Sequence, residues 1–169
     1  RTIFNLLGPL TNPAGARWQL VGVYEQRWVR PLAEAFANLG SKHTLVVHSE
    51  DGLDEISIAA PTTVCEFRDG TLSDYEFSPE DHGVERQALD SIRVDDASGS
   101  LTLIREALGG TAGPAYDMVA LNAGATIYVA DLADSLDAGI ERAREVLDSG
   151  SGLARLEEMV AYSQRFEAA

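Results

Sequence analysis

The sequence predicts an α/β fold: a mixed, largely parallel sheet flanked by helices. Three observations predict it. A strand, an amphipathic helix and a second strand follow one another between residues 18 and 48. A hairpin signal stands at Asp69-Gly70, and apolar stretches with helical spacing fill residues 101–160. At 169 residues the chain suits one domain with a real core, and its 45% hydrophobic content excludes whole-chain disorder.

Each element has its own warrant. Residues 1–16 contain Gly8-Pro9 and Asn12-Pro13, turn punctuation that predicts an extended, looping segment whose apolar side chains need a docking surface. Trp18–Tyr24 is β-branched and aromatic, and reads as a strand. Val29, Leu32, Ala33, Phe36 and Leu39 repeat at helical spacing, with Gly40 placed to close the helix. His43–His48 is a short continuous apolar run, the pattern of a strand covered on both faces. Strand, helix and strand within this span make a βαβ unit, hence a parallel pair.

From Glu55 onward the runs shorten and alternate. Val64–Arg68 and Thr71–Phe77 read as antiparallel strands joined at Asp69-Gly70. Residues 78–97 are polar and acidic, a surface connection. Leu101, Ile104 and Leu108 form a helical stripe after the cap candidates Ser98 and Ser100, stopping at Gly109-Gly110. Tyr116–Ala130 is apolar almost all round and is expected to be buried. Leu136, Ile140, Ala143 and Leu147 form another stripe, and a last helix runs through Leu153, Leu156 and Val160.

Charge and composition exclude several functions. Asp and Glu number 27 against 13 Lys and Arg, a net charge of −14, and Lys42 is the one lysine. No basic stripe exists to follow a phosphate backbone, which speaks against nucleic acid as a partner. A polyanionic small ligand would also be repelled unless a cation bridged it. The single cysteine, Cys65, cannot form an internal disulfide. Residues 1–4 lack the layout of a signal peptide, and the absence of an initiating Met reads as part of a longer chain. The apolar stretch Met118–Ala130 contains Asn122 and falls short of the roughly 20 residues a membrane span needs. A soluble, intracellular protein is expected.

The chemistry is concentrated at residues 48–55, HSEDGLDE, where Glu50, Asp51, Asp54 and Glu55 follow the apolar strand. In open α/β sheets, ligands bind just beyond the carboxyl ends of strands. Asp54 and Glu55 can converge in a loop turned by Gly52, and convergent carboxylates need a cation to offset their repulsion. Oxygen-only ligands suit Mg²⁺, which keeps waters and substrate phosphates as its other partners. The residues alone leave two readings open, a solvated acidic turn and a Mg²⁺ site.

Other candidates are weaker. His43, His48 and His82 show no zinc spacing and read as surface or supporting residues. Cys65, inside a strand without a nearby His, reads as a buried structural thiol. No G-x-S-x-G elbow occurs, and Gly109–Pro114 follows a helix, so it reads as a helix stop and turn rather than a phosphate cradle. Arg1 could grip a carboxylate bidentately or simply be a mobile terminus.

Two segments carry a resemblance. RTIFNLLGPLTNPA at 1–14 and HSEDGLDEIS at 48–57 resemble the anthranilate phosphoribosyltransferase family. A third, LNAGATIYVADLADSLDAGIERAREVLDSG at 121–150, is similar to that family's closing helices. The resemblance implies a nucleoside phosphorylase/phosphoribosyltransferase-like C-terminal domain, with residues 1–169 as its α/β portion. The N-terminal helical domain and the phosphate-binding segments would be absent. It implies transfer of the phosphoribosyl group from 5-phosphoribosyl 1-diphosphate to anthranilate, in tryptophan biosynthesis, with Mg²⁺. By position, Asp54 and Glu55 match the family's metal-binding pair and Arg1 matches the arginine that engages anthranilate. Gly8-Pro9 and Asn12-Pro13 would lie near the substrate entrance. The segment DDASGSLTLIREALGG departs from the family's pattern, which touches the helix start there. The full-length enzyme would be a cytoplasmic homodimer without membrane or nucleic-acid partners, and this portion alone would be inactive. The alternatives are a non-catalytic binding paralogue on the same fold and a pyrimidine nucleoside phosphorylase relative.

Overall fold

The structure, a computed structural model, describes residues 4–166. Its sheet has the order β1-β2-β3-β4. Strand β1 (Trp18–Gly22) pairs in parallel with β2 (His43–Ser49), from Trp18 opposite His43 to Gly22 opposite Val47. Helix α2 (Val29–Asn38) makes the crossover between them, completing the βαβ unit. β2 also pairs antiparallel with β3 (Thr62–Arg68), which turns into β4 (Thr71–Phe77). The sheet is mixed, as expected, but not largely parallel: only β1–β2 pair in parallel, because the strands after β2 are joined by short connections that return antiparallel. At the hairpin, Asp69 and Gly70 take φ of 51° and 79°, the left-handed pair that a two-residue turn between twisted strands requires.

The apolar run of β2 is explained by burial on both faces. Val46 points to a core with Val21, Val23, Leu32, Phe36 and Cys65, beneath α2. Its neighbours Leu45 and Val47 point the other way, into a core with Ile56, Ile58, Val64, Leu121 and Ile140. Alternate side chains thus serve separate layers, so no polar face was needed.

Helix α1 (Phe4–Leu10) corrects the expectation of an extended N-terminal segment. Pro9 lies inside it. A proline near the end of a short helix removes only one local donor. The last turn is closed by Thr11, whose N–H and hydroxyl both donate to Leu7 O, at 3.1 and 2.9 Å. Leu6 is buried in the α2-side core, and that docking outweighs the turn punctuation. Residues 78–97 are more than a surface connection, because Val84 is buried in the main core and two 3₁₀ turns, Pro79–His82 and Leu89–Ile92, shape the path.

Helix α3 (Ala97–Leu108) is capped by Asp96, whose carboxylate accepts the Gly99 N–H at 2.7 Å. Ser98 and Ser100, the expected caps, lie inside the helix. A carboxylate both satisfies an orphan donor and favours the positive helix end. Of the predicted stripe, Leu101 and Ile104 stay exposed and only Leu108 is partly covered, packed against Tyr116, Ala120 and Leu147. Helices α4 (Pro114–Val129), α5 (Leu136–Asp148) and α6 (Ser151–Ser163) complete the chain's described part. α4 buries Tyr116, Ala120, Leu121, Ala125, Tyr128 and Val129 against the sheet and α5. Among the described residues no helix is long and apolar enough to cross a membrane.

Candidate functional site: an acidic turn at the end of the parallel strands

β1 and β2 run the same way, so their carboxyl ends share one edge of the sheet. The chain leaving β2 turns sharply there. Gly52 N–H donates to Ser49 O at 2.9 Å, and Ser49 N–H donates to Leu53 O at 3.0 Å. Asp51 is absorbed by the turn itself. Its Oδ1 accepts the Leu53 N–H at 3.1 Å, and its Oδ2 accepts the Ser57 hydroxyl at 2.5 Å. This divides the four carboxylates: the Asp51 side chain builds the turn, whereas Glu50, Asp54 and Glu55 are exposed residues whose side chains make none of the turn's hydrogen bonds described above.

The boundary between water and core falls directly after Glu55, because Ile56, Ser57 and Ile58 are fully buried. Asn122 of α4 takes hold of Ile56 on both sides of its backbone, accepting its N–H at 3.0 Å and donating to its carbonyl at 2.8 Å. At the opposite flank the turn rests on β1. A Cβ on residue 22 would overlap the Asp54 carbonyl, so only glycine lets the turn lie so close to the strand end. Asp54 and Glu55 are therefore set on a turn anchored to β1, β2 and α4 together.

The donor set fits Mg²⁺. Both side chains offer oxygen and both residues are exposed, and Mg²⁺ takes waters and phosphate oxygens to complete its octahedron. Among the described residues no three of His, Cys, Asp and Glu gather into a preformed metal cage. A divalent ion here would take two carboxylates at most from these residues and its remaining ligands from water and ligand.

Arg1 lies outside the described residues. The structure separates the Asn12-Pro13 turn from the acidic turn. Pro9, Leu10 and Asn12 line a cavity of about 440 Å³ with Arg17, Gln19 and Gly40, beside the amino ends of β1 and β2. That is the far edge of the parallel pair. His48 holds the carboxyl edge together, its Nδ1–H donating to Val23 O at 2.7 Å. His82 is partly covered, stacked on Phe77 at 4.2 Å and 2.6 Å from Asp137 Oδ1.

His43 is not at the surface, one of its two expected places, but buried at the start of β2. Its Nε2 lies 2.9 Å from Glu66 Oε1 and its Nδ1 3.1 Å from Asp131 Oδ1. Glu66 also accepts from Tyr128 Oη at 2.7 Å and Tyr75 Oη at 3.1 Å. Burial alone would raise the Glu66 pKa, but the bonds from His43, Tyr128 and Tyr75 together hold it below the ordinary value. Trp18 Nε1–H donates to Asp131 Oδ2 at 2.8 Å, and with His43 it lowers the Asp131 pKa. Sequence reasoning missed this network, which sits at the amino edge and is structural. One signal was available: Glu66 follows Val64 by two in β3, so it shares the inward face.

Cys65 is the buried thiol the sequence suggests. Burial first, then the hydrogen bond and charge of Asp74, push its pKa up to about 12. The thiolate is the reactive form. Native protein at neutral pH is expected to leave Cys65 unlabelled by a disulfide-exchange reagent, with full labelling once denaturant is added. Rapid labelling of the native state would show the strand core to be open.

With a parallel pair ending in an acidic turn, the fold and site define a class. The chain matches, over residues 1–153, the model described as "Glycosyl transferase family, a/b domain". It belongs to that family. Among its particular relatives, it is 56% identical over 163 residues to "Anthranilate phosphoribosyltransferase" of Thioalkalivibrio sulfidiphilus (strain HL-EbGR7), covering 96% of this chain and 48% of the relative. The protein of the same name from Methylococcus capsulatus (strain ATCC 33009 / NCIMB 11132 / Bath) is 56% identical over 168 residues, covering 99% and 49%. The crystal structure of anthranilate phosphoribosyltransferase from Thermus thermophilus superposes with a TM-score of 0.87 at 42% identity, over 96% of this chain and 48% of that one. The Saccharomyces cerevisiae enzyme in complex with PRPP and Mg superposes at 0.80 with 29% identity, over 93% and 46%. The chain spans about half the length of the relatives it matches.

Proposed function

We propose that residues 1–169 are the C-terminal α/β portion of an anthranilate phosphoribosyltransferase. The reaction moves the phosphoribosyl group of 5-phosphoribosyl 1-diphosphate onto the amine of anthranilate, releasing diphosphate, as a step of tryptophan biosynthesis. The observation that carries this reading is the exposed Asp54–Glu55 pair on an anchored turn at the carboxyl edge of the parallel strands. The family membership, and the yeast relative solved with PRPP and Mg, support it. On the same family basis the reading extends to a cytoplasmic, homodimeric full-length enzyme, with Arg1 engaging the anthranilate carboxylate.

Charge explains why such a pair is needed. The chain carries −14, and the donor's diphosphate is itself polyanionic, so docking without a cation would be repulsive. Asp54 and Glu55 would hold Mg²⁺, which supplies charge neutralisation to the departing diphosphate. Substitution at an anomeric carbon needs placement and charge stabilisation rather than an enzyme nucleophile. Cys65, buried and with its thiol pKa raised, is accordingly a bystander.

The test is the double substitution Asp54→Asn and Glu55→Gln in the intact protein that carries this chain. The Mg²⁺ concentration for half-maximal formation of phosphoribosyl anthranilate is expected to rise at least about tenfold, as loss of metal ligands demands. An unchanged metal titration would return the segment to a solvated acidic turn.

A further inference from the structure

We infer that Asn122 is a positioning residue for the acidic pair, fixing the turn that presents Asp54 and Glu55; the inference rests on the metal-binding reading above. Asn122 is the one amide side chain of α4, midway along the helix, and that reading of the site leaves it without a role. Its amide is fully used. Oδ1 accepts the Ile56 N–H at 3.0 Å, while Nδ2 donates to Ile56 O at 2.8 Å and to Met118 O at 3.0 Å. The two bonds to Ile56 reproduce one rung of a strand ladder in the absence of a strand. They need a donor and an acceptor on one planar group, which among side chains of this length only asparagine provides.

The consequence reaches the carboxylates through the backbone. Ile56 is fully buried, so its N–H and C=O have no water to turn to and must stay on Asn122. Fixing both groups fixes the peptide joining Glu55 to Ile56, and with it the direction in which Glu55 leaves the core. Gly22 closes the other flank: the Asp54 carbonyl lies where any side chain at that position would begin. Two elements, α4 and β1, thus hold the turn from both sides. Groups that orient metal ligands contribute to affinity without touching the ion.

The experiment uses Asn122→Asp in the intact protein carrying this chain. The substitution keeps size and shape but turns the Nδ2 donor into an acceptor, set against the carbonyls of Ile56 and Met118. Amide hydrogen exchange in metal-free protein is the first readout, and it is independent of activity. Exchange across residues 50–57 is expected to accelerate about tenfold or more, while β2 and β3 keep their protection. In the second readout, half-activating Mg²⁺ is expected to rise about 10- to 100-fold, with the rate at saturating Mg²⁺ within about threefold of the parent. Gly22→Ala pushes on the same turn from β1, carries the same expectations and stands in if Asn122→Asp does not fold. A metal midpoint unmoved by either substitution, but moved by Asp54→Asn with Glu55→Gln, would overturn the positioning role and leave the metal site standing. A midpoint unmoved even by the acidic-pair substitution would overturn the site itself, and this inference with it.

Discussion

Gly124→Leu is expected to leave the protein unable to fold, and Gly124→Ala to destabilise it by about 1–3 kcal/mol, the usual cost of overpacking a core. α4 and α5 meet at two glycines, Gly124 and Gly139, both buried. A Cβ on Gly124 would stand 2.5 Å from Ile140 Cα and 2.7 Å from Ile140 N. These are backbone atoms, which cannot rotate away as a side chain can. A Cβ on Gly139 would in turn overlap the Gly124 carbonyl oxygen. The crossing is therefore a mutual fit in which neither helix can yield without moving the other. Separation of α5 would withdraw Ile140 from the core that holds Leu121, Ala125, Tyr128 and Val129. Several side chains would lose burial together, at about 1.5–3 kcal/mol each.

Helix propensity predicts the opposite sign, because alanine is favoured over glycine in a helix interior by roughly 0.5–1 kcal/mol. Gly99 in α3 offers the comparison within the same molecule. A Cβ there would meet nothing nearer than 3.4 Å, an ordinary contact, and the Gly99 N–H would keep its bond to Asp96. Gly99→Ala is expected to be neutral or to raise the unfolding midpoint, while Gly124→Ala lowers it. Chemical denaturation of both variants checks this. Two stabilising results would show that α4 and α5 pack more loosely than their glycines imply.

Periodicity explains which parts of this fold were legible. The βαβ unit, the hairpin at Asp69-Gly70, the all-round apolar run of α4 and the stripe of α5 are local patterns, and each reports apolar surface that the fold buries. α1 was not legible because its warrant is distant: Leu6 docks on residues of β1 and α2, whereas the local signal at Gly8-Pro9 reads as a turn. The cap of α3 was mistaken because Asp96, Ser98 and Ser100 all suit the position, and only the backbone decides: Asp96 is the last extended residue before the helix. At the site, the acidic cluster was visible but its division was not. That Asp51 serves the turn follows from Ser57, six residues on, folding back to its carboxylate. Asn122 reaches Ile56 across 66 residues, a pairing that no spacing rule announces.

Glu66→Ala is expected to cost about 3–5 kcal/mol, the usual penalty for breaking a buried ionic network from one side. Three donors converge on this carboxylate. His43 Nε2 and Tyr128 Oη share Oε1, and Tyr75 Oη takes Oε2. His43 is 1% exposed, so its ring nitrogen cannot exchange Glu66 for water. Arg68 Nη1 donates to Tyr128 Oη at 3.1 Å, which ties the hairpin to α4 through the same group. Removing the carboxylate strands the hydroxyls of Tyr128 and Tyr75 and leaves His43 with only Asp131. Glu66→Gln, which preserves shape and one acceptor oxygen, is expected to cost less, about 1–3 kcal/mol.

The network also sets an acid limit. In the folded state the Glu66 pKa lies below the ordinary value of 4.5, because the hydrogen bonds to its ionised form outweigh the desolvation that pushes the other way. A carboxylate with a depressed folded pKa contributes stability that is fully present above its unfolded pKa. That contribution is lost as pH falls below 4.5 and passes through the folded value. His43, Tyr75 and Tyr128 face Glu66 directly, with Arg68 and Asp131 one contact further out. Protonation of Glu66 removes the acceptor charge on which the group is built. The stability difference between parent and Glu66→Gln is therefore expected to shrink as pH falls below about 5 and the parent's Glu66 takes up its proton. Urea unfolding of both proteins on either side of that pH measures it. A difference that persists undiminished in acid would mean that packing around residue 66, rather than its charge, holds β3 to α4.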